Sequence, residues 1–134
     1  KTEIEFLLMR RATTMNGKWC QVASSIEAGE TAWQAAIREV KEETGTLLTD
    51  LWSADICEQF YEAHNERFIM FPVFVSHVDP SVKVQLNREH DAHEWLGFDA
   101  ACARLSVPGQ HNTLRHIKAE YIDRMPNPLL EIDI

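Results

Sequence analysis

Three carboxylates, Glu39, Glu42 and Glu43, stand within five residues of one another directly behind Arg38. If the segment is helical, Glu42 lies about 60° to one side of Glu39 and Glu43 about 40° to the other, so all three share one face. Like charges at i,i+4 oppose a helix by a few tenths of a kcal/mol, and anions in a last turn oppose its dipole. A hard divalent cation resolves both conflicts. Mg²⁺ takes carboxylate and water oxygens and completes its shell with substrate phosphates; Mn²⁺ is the alternative ion. Arg38 reaches Glu42 at i,i+4 and can hold one carboxylate in place. The competing reading of the same residues is a solvated acidic face.

The elements that must position this face follow from the local sequence. Thr31 is a good N-cap, Ala32 to Thr44 are helix formers, and Gly45 stands where a left-handed residue ends a helix. Trp33, Ala36, Ile37 and Val40 recur at helical spacing and predict the buried stripe. Ile4 to Met9 reads as a first strand buried on both faces near its end. A polar connection from Arg10 to Lys18 and a short strand from Trp19 to Val22 follow. Leu47 to Glu62 and Arg67 to Val78 are rich in strand formers. The second of these is expected to be central, with a bulge or an edge position at Pro72. Val82 to Leu86 and Glu94 to Leu96 are short strand candidates. Asp99 is expected to cap a short helix over 100–105, and Pro108-Gly109 to break the chain. Asn112 to Arg124 closes the pattern with Leu114, Ile117 and Tyr121 on one helix face. The class expected is α+β, an α/β/α layered arrangement with a mixed sheet packed between helices, in one domain over residues 1–134.

Composition sets the outer bounds. The 134 residues carry 13 Lys and Arg against 21 Asp and Glu, a formal charge of −8 that repels a nucleic-acid polymer. A bridging metal still admits a small phosphate ligand. Cys20, Cys57 and Cys102 are odd in number and widely spaced, so they make neither a disulfide framework nor a zinc pair. No apolar run approaches the roughly 20 residues of a membrane span. Lys1 to Glu5 does not read as a signal peptide, so a cytoplasmic chain without membrane contact is expected.

The acidic segment resembles the signature of the Nudix hydrolases, G-x5-E-x7-R-E-U-x-E-E-x-G-U with U aliphatic. Glu30, Arg38, Glu39, Val40, Glu42, Glu43 and Gly45 match at the right spacing. Ser24 replaces the first glycine and Thr46 the last aliphatic residue. Ser24 implies about 1–2 kcal/mol of strain if the loop needs a positive φ there. The wider chain is similar to the bacterial dATP and dihydroneopterin triphosphate pyrophosphohydrolase branch. The likeness runs from Leu7-Leu8-Met9-Arg10-Arg11 through Trp19 and Glu27 to Ala32, then to Glu89-His90 and Trp95-Leu96.

The resemblance implies a Nudix fold and Mg²⁺-dependent attack of water on a nucleotide or pterin polyphosphate. A triphosphate would leave as monophosphate and pyrophosphate. It assigns Glu39 and Glu43 as principal metal ligands, Glu42 as a further ligand or the base for the water, and Arg38 as the group that orients a carboxylate. Glu89 falls where this branch brings a late carboxylate to the metal, a role open to Glu94 as well. Arg10 is the expected substrate contact. Asn112 is either a second such contact or a helix N-cap. Glu30 is expected to act structurally. His90 and His93 fall on opposite faces of a strand and so make no zinc pair. Two other readings stand beside the first. One is a dinucleoside polyphosphate hydrolase, suggested by Tyr61 sixteen residues past Gly45; the other is a catalytically weak Nudix-fold binding module, suggested by Ser24. The partner expected is a small polyphosphate, with the chain a monomer or homodimer.

Overall fold

A computed structural model describes residues 3–23 and 25–134; Ser24 lies outside the described residues. The elements in chain order are β1 (Phe6–Arg11), β2 (Trp19–Cys20), α1 (Ala32–Thr44), β3 (Trp52–Glu62), β4 (Arg67–Val75), β5 (His90–Leu96), α2 (Phe98–Arg104) and α3 (Pro108–Ile117). A π turn, Lys118–Ile122, continues α3. The strands form two ladders, β2-β1-β5 and β3-β4, and every pair described is antiparallel. The α+β class is as expected. No helix of the described residues is long and apolar enough to cross a membrane.

Leu8 and Met9 are both fully buried, so β1 is covered on its two faces as its apolar run predicts. Leu8 joins Ala101, Leu105 and Leu114 in the core, with Phe6, Trp19, Leu96 and Phe98 packed around them. Helices α2 and α3 therefore cover one face of the β1–β5 ladder. β1 starts later than expected and carries Arg10 and Arg11 within it, because both residues find partners on β5: Arg10 pairs with Ala92 and Arg11 with His90. The strand from Trp19 stops at Cys20.

Helix α1 is closed at both ends by its own residues. Thr31 Oγ1 accepts from the Gln34 amide at 3.2 Å, and Gln34 Oε1 accepts from the Thr31 amide at 2.9 Å, a reciprocal capping box. Gly45 sits at φ 76° and its amide donates to the Lys41 carbonyl at 2.9 Å. The predicted stripe Trp33, Ala36, Ile37 and Val40 is only half-buried, whereas Ala35, Glu43 and Thr44 are fully buried. The helix is thus covered on its acidic side too, and the solvated-face reading fails at Glu43.

Several boundaries differ from expectation for identifiable reasons. Residues 82–86 form no strand; the Gln85 amide instead donates to the Thr44 carbonyl at 2.8 Å, fixing the end of α1. β4 is not central, since among the described residues it pairs with β3 alone. Pro72, lacking a donor, fits that one-sided position, and the register shift on β3 between Ser53 and Cys57 ends at its partner Cys57. The bulged stretch carries Asp55 at φ 60°, and its carbonyls are used by the far helix: His116 Nε2 meets Ala54 O at 2.6 Å and the Tyr121 hydroxyl donates to Ser53 O. Gly97, not Asp99, caps α2. Pro108 does not break the chain but opens α3 at N1, where its missing N–H costs nothing. Leu114, Ile117 and Tyr121 share the buried face as predicted.

Candidate metal centre

Two charge clusters occupy the acidic side of α1. The first is built on Arg38, which projects from the middle of the helix. Its Nε and Nη2 donate to both oxygens of Glu30 at 2.7 and 3.0 Å, and Nη2 also reaches the Ser25 carbonyl at 2.9 Å. Its Nη1 donates to Glu39 Oε1 at 2.6 Å and to Glu42 Oε2 at 3.2 Å. Glu30 accepts further from the Glu27 amide at 2.9 Å. One planar guanidinium thus ties the segment before the helix to two carboxylates on it, a bidentate geometry that lysine could not supply. These bonds raise the Arg38 pKa, Glu30 first and Glu39 next. Glu30 is held below its ordinary range, chiefly by Arg38.

The second cluster lies one turn further on and has no such hub. The β1–β5 ladder sets Arg11 opposite His90, and the Ala12 amide donates to the Glu89 carbonyl at 2.9 Å, bringing Glu89 and His90 up to the end of α1. One ligand atom each from Glu43, Glu89 and His90 lies within 4.8 Å of the others. Glu43 is 1% exposed and His90 4%, while Glu89 is exposed and opens the cluster to solvent. Among the described residues, Glu43 Oε2 and His90 Nδ1 are buried without a hydrogen-bond partner. Burial pushes the Glu43 carboxyl up to about 8, helped by the adjoining Glu39 side chain and the charge of Glu89, and opposed by Arg11. Burial, with Arg11, holds His90 below its ordinary value and so neutral.

A buried carboxylate beside two others, with an oxygen left without a partner, is an arrangement that a cation completes. The oxygen-rich donor set fits a divalent ion, which Glu43, Glu39 and Glu89 would hold, with Glu42 at the exposed margin. Of the residues singled out from sequence, Arg38, Glu39, Glu42, Glu43 and Glu89 are therefore brought to this side of α1. Glu94 is engaged elsewhere, bound by Arg104 at 2.9 Å. Arg10 pairs with Asp91 at 2.7 Å beside the Trp19 ring. Asn112 sits inside α3 and accepts from Arg115, so it is not an N-cap. Sequence reasoning missed His90 and Arg11 as neighbours of Glu43. The available signal was the adjacency of His90 to Glu89, which stands in the turn directly before β5.

The model of the NUDIX domain matches residues 1–122. The chain belongs to the Nudix family. Among curated relatives, the asymmetrical bis(5'-nucleosyl)-tetraphosphatase of Sus scrofa is 35% identical over 106 residues, which are 75% of this chain and 69% of that protein. The octanoyltransferase of Myxococcus xanthus is 37% identical over 119 residues, covering 87% of this chain, but the chain spans only 33% of that protein's length. Among solved structures, the C. elegans Ap4A hydrolase in a binary complex superposes with a TM-score of 0.78 at 25% identity, covering 91% of this chain and 89% of that one. The E. coli dihydroneopterin triphosphate pyrophosphohydrolase gives 0.73 at 25% identity, with 90% and 87% covered.

Proposed function

We propose that this Nudix protein is a divalent-metal-dependent hydrolase that cleaves a phosphoric anhydride bond in a dinucleoside polyphosphate. The observation that carries the metal dependence is the buried, partly unpartnered Glu43 carboxyl beside Glu39 and Glu89. The bound ion supplies charge neutralisation and orientation of the polyphosphate, the main requirements of phosphoryl transfer. Glu39, Glu43 and Glu89 hold it. Arg38 is a positioning residue that fixes Glu39 and Glu30. Glu42, half-exposed and only loosely bound by Arg38, is assigned as a further ligand or as the base that takes a proton from water. Arg10 and Asn112, both on the surface, are assigned as polyphosphate contacts on the resemblance alone.

The choice of substrate class rests on the tetraphosphatase relatives at 31–35% identity over about three-quarters of the chain. Tyr61 agrees with it, its exposed ring tilted against Phe68 at 6.2 Å as a surface on which a base can stack. The likeness to the dihydroneopterin triphosphate enzyme favours a second reading, pyrophosphate release from a nucleoside or pterin triphosphate. Either activity belongs to a cytoplasmic enzyme working on small molecules. The complete carboxylate set and the Arg38 hub argue against a catalytically weak binding module.

Product analysis after incubation with Mg²⁺ or Mn²⁺ decides. Bis(5'-adenosyl) tetraphosphate should give unequal products, the triphosphate and the monophosphate. Faster conversion of dATP or dihydroneopterin triphosphate to monophosphate and pyrophosphate would establish the second reading. No hydrolysis of any of these with either ion would overturn both.

A further inference from the structure

The two ring nitrogens of His90 have different neighbours. Nε2 lies 3.7 Å from Cys20 Sγ, within hydrogen-bond reach of a sulfur. Nδ1 lies 3.7 Å from Glu43 Oε1, too far for a hydrogen bond. A neutral imidazole has one N–H to place. On Nε2 it has the thiol sulfur as acceptor, which leaves the Nδ1 lone pair aimed at Glu43. With Glu43 ionised, two acceptors then face each other between side chains that are themselves almost wholly buried. Nδ1 and the second Glu43 oxygen are the buried side-chain atoms left without a partner among the described residues.

A cation placed among Glu43, Glu89 and His90 would satisfy both atoms at once. We infer that His90 Nδ1 is a ligand of the metal, beside Glu43 and Glu89, and that this centre therefore favours nitrogen-accepting ions such as Co²⁺ over Mg²⁺. The inference rests on the metal-dependent reading above and departs from the all-carboxylate centre that the signature implies. Imidazole suits the later first-row ions, whereas Mg²⁺ gains little from a nitrogen donor. Cys20 serves as the outer partner that fixes the tautomer, the part usually taken by a carbonyl or carboxylate.

Pulsed electron paramagnetic resonance on Mn²⁺-loaded protein tests this without relying on activity. Protein labelled with ¹⁵N-histidine should show the ¹⁵N coupling in place of the ¹⁴N coupling of unlabelled protein. That coupling should vanish in His90→Gln and persist in His93→Gln. In calorimetric titrations His90→Gln should weaken Co²⁺ on the order of tenfold or more while changing Mg²⁺ less. The labelled wild-type protein keeps the test decisive even where His90→Gln fails to fold. Tight Mn²⁺ binding without a histidine coupling, or a coupling that survives His90→Gln, would overturn the inference and leave the hydrolase reading intact. Absence of any Mn²⁺ or Mg²⁺ binding would remove both.

Discussion

The Arg38 cluster and the Glu43 cluster lie one turn apart on the same helix and treat charge in opposite ways. Around Arg38, each nitrogen of the guanidinium meets an acceptor between 2.6 and 3.2 Å, and Glu30 and Glu39 both bond to the same cation. Around Glu43, the nearest acidic neighbours carry the same sign, two buried atoms lack partners, and the carboxyl is pushed towards its neutral form. The first arrangement is complete within the protein. The second becomes complete only when something positive enters. Neighbouring sites with such opposed electrostatics separate a scaffold from a working centre, because strongly perturbed groups concentrate where function requires them.

The largest effect should come from the incomplete cluster. Glu43→Gln keeps shape and removes the charge that holds the ion. Turnover at saturating Mg²⁺ should fall by about 10²–10³-fold, the scale of losing metal-borne charge stabilisation. The metal-free variant should melt no lower than the parent, since it sheds a buried like-charge conflict. Full activity at low Mg²⁺, measured by phosphate release, would remove Glu43 from the centre and erase the contrast with Arg38.

The same carboxyl gives the metal-free protein a distinctive pH dependence. Its folded form titrates near 8 against an ordinary value of 4.5, so between those limits the folded state retains a proton that the unfolded chain has lost. Stability that is fully present below pH 4.5 is therefore lost as pH rises towards 8, by an amount on the order of a few kcal/mol. Other groups add their own dependence, so the sharper readout is the difference between parent and Glu43→Gln. The parent's disadvantage should grow across this window in chelator and shrink when Mg²⁺ is added. A difference that stays flat with pH in thermal melts would show that Glu43 is not desolvated.

Breaking the complete cluster should do less to chemistry and act by a different route. Arg38→Met removes the guanidinium and leaves Glu30, Glu39 and Glu42 without their common partner. Misplacing Glu39 and the segment before the helix should lower kcat/KM by about 10- to 100-fold. The melting temperature should also fall, and Arg38→Lys should rescue little of either because an ammonium cannot form the fork. A kinetic loss without any change in melting, measured in both variants, would mean that Arg38 contacts substrate instead of stapling the segment.

The two clusters were not equally legible in the sequence. Arg38, Glu39 and Glu42 are neighbours on a single helix, so period and spacing place them together before any tertiary contact is known. The α1 caps are legible for the same reason, Thr31 and Gly45 acting on adjacent backbone. His90 and Arg11 reach Glu43 only through the β1–β5 register, a pairing of residues about eighty positions apart that local pattern does not contain. The solvated-face alternative for the glutamates also turned on tertiary packing, since nothing local says that Glu43 is covered while Glu42 is not. Residues 82–86 have a strand-like pattern yet spend an amide on the Thr44 carbonyl, and Pro108 serves as a helix start because Val107 precedes it in an extended conformation. Ser24, whose strain or hydroxyl would bear on the segment before α1, lies outside the described residues.

The smallest expected effect isolates helix stability from both clusters. Thr31→Ala removes the hydroxyl that accepts from the Gln34 amide and leaves in place the bond from the residue-31 amide to Gln34 Oε1. The loss should be about 1 kcal/mol, the usual cost of an N-cap. Thr31 lies only one residue from Glu30, so a shift of the segment would be felt by Arg38 before it reached Glu43. If the Arg38 fork holds that segment independently of the cap, Thr31→Ala should lower the melting temperature by a few degrees. Mg²⁺ affinity and kcat should stay within about twofold of the parent, a difference of roughly 0.4 kcal/mol. A drop in Mg²⁺ affinity comparable to that in Arg38→Met would show instead that the cap and the fork form one cooperative unit, and that the scaffold side of α1 begins at Thr31.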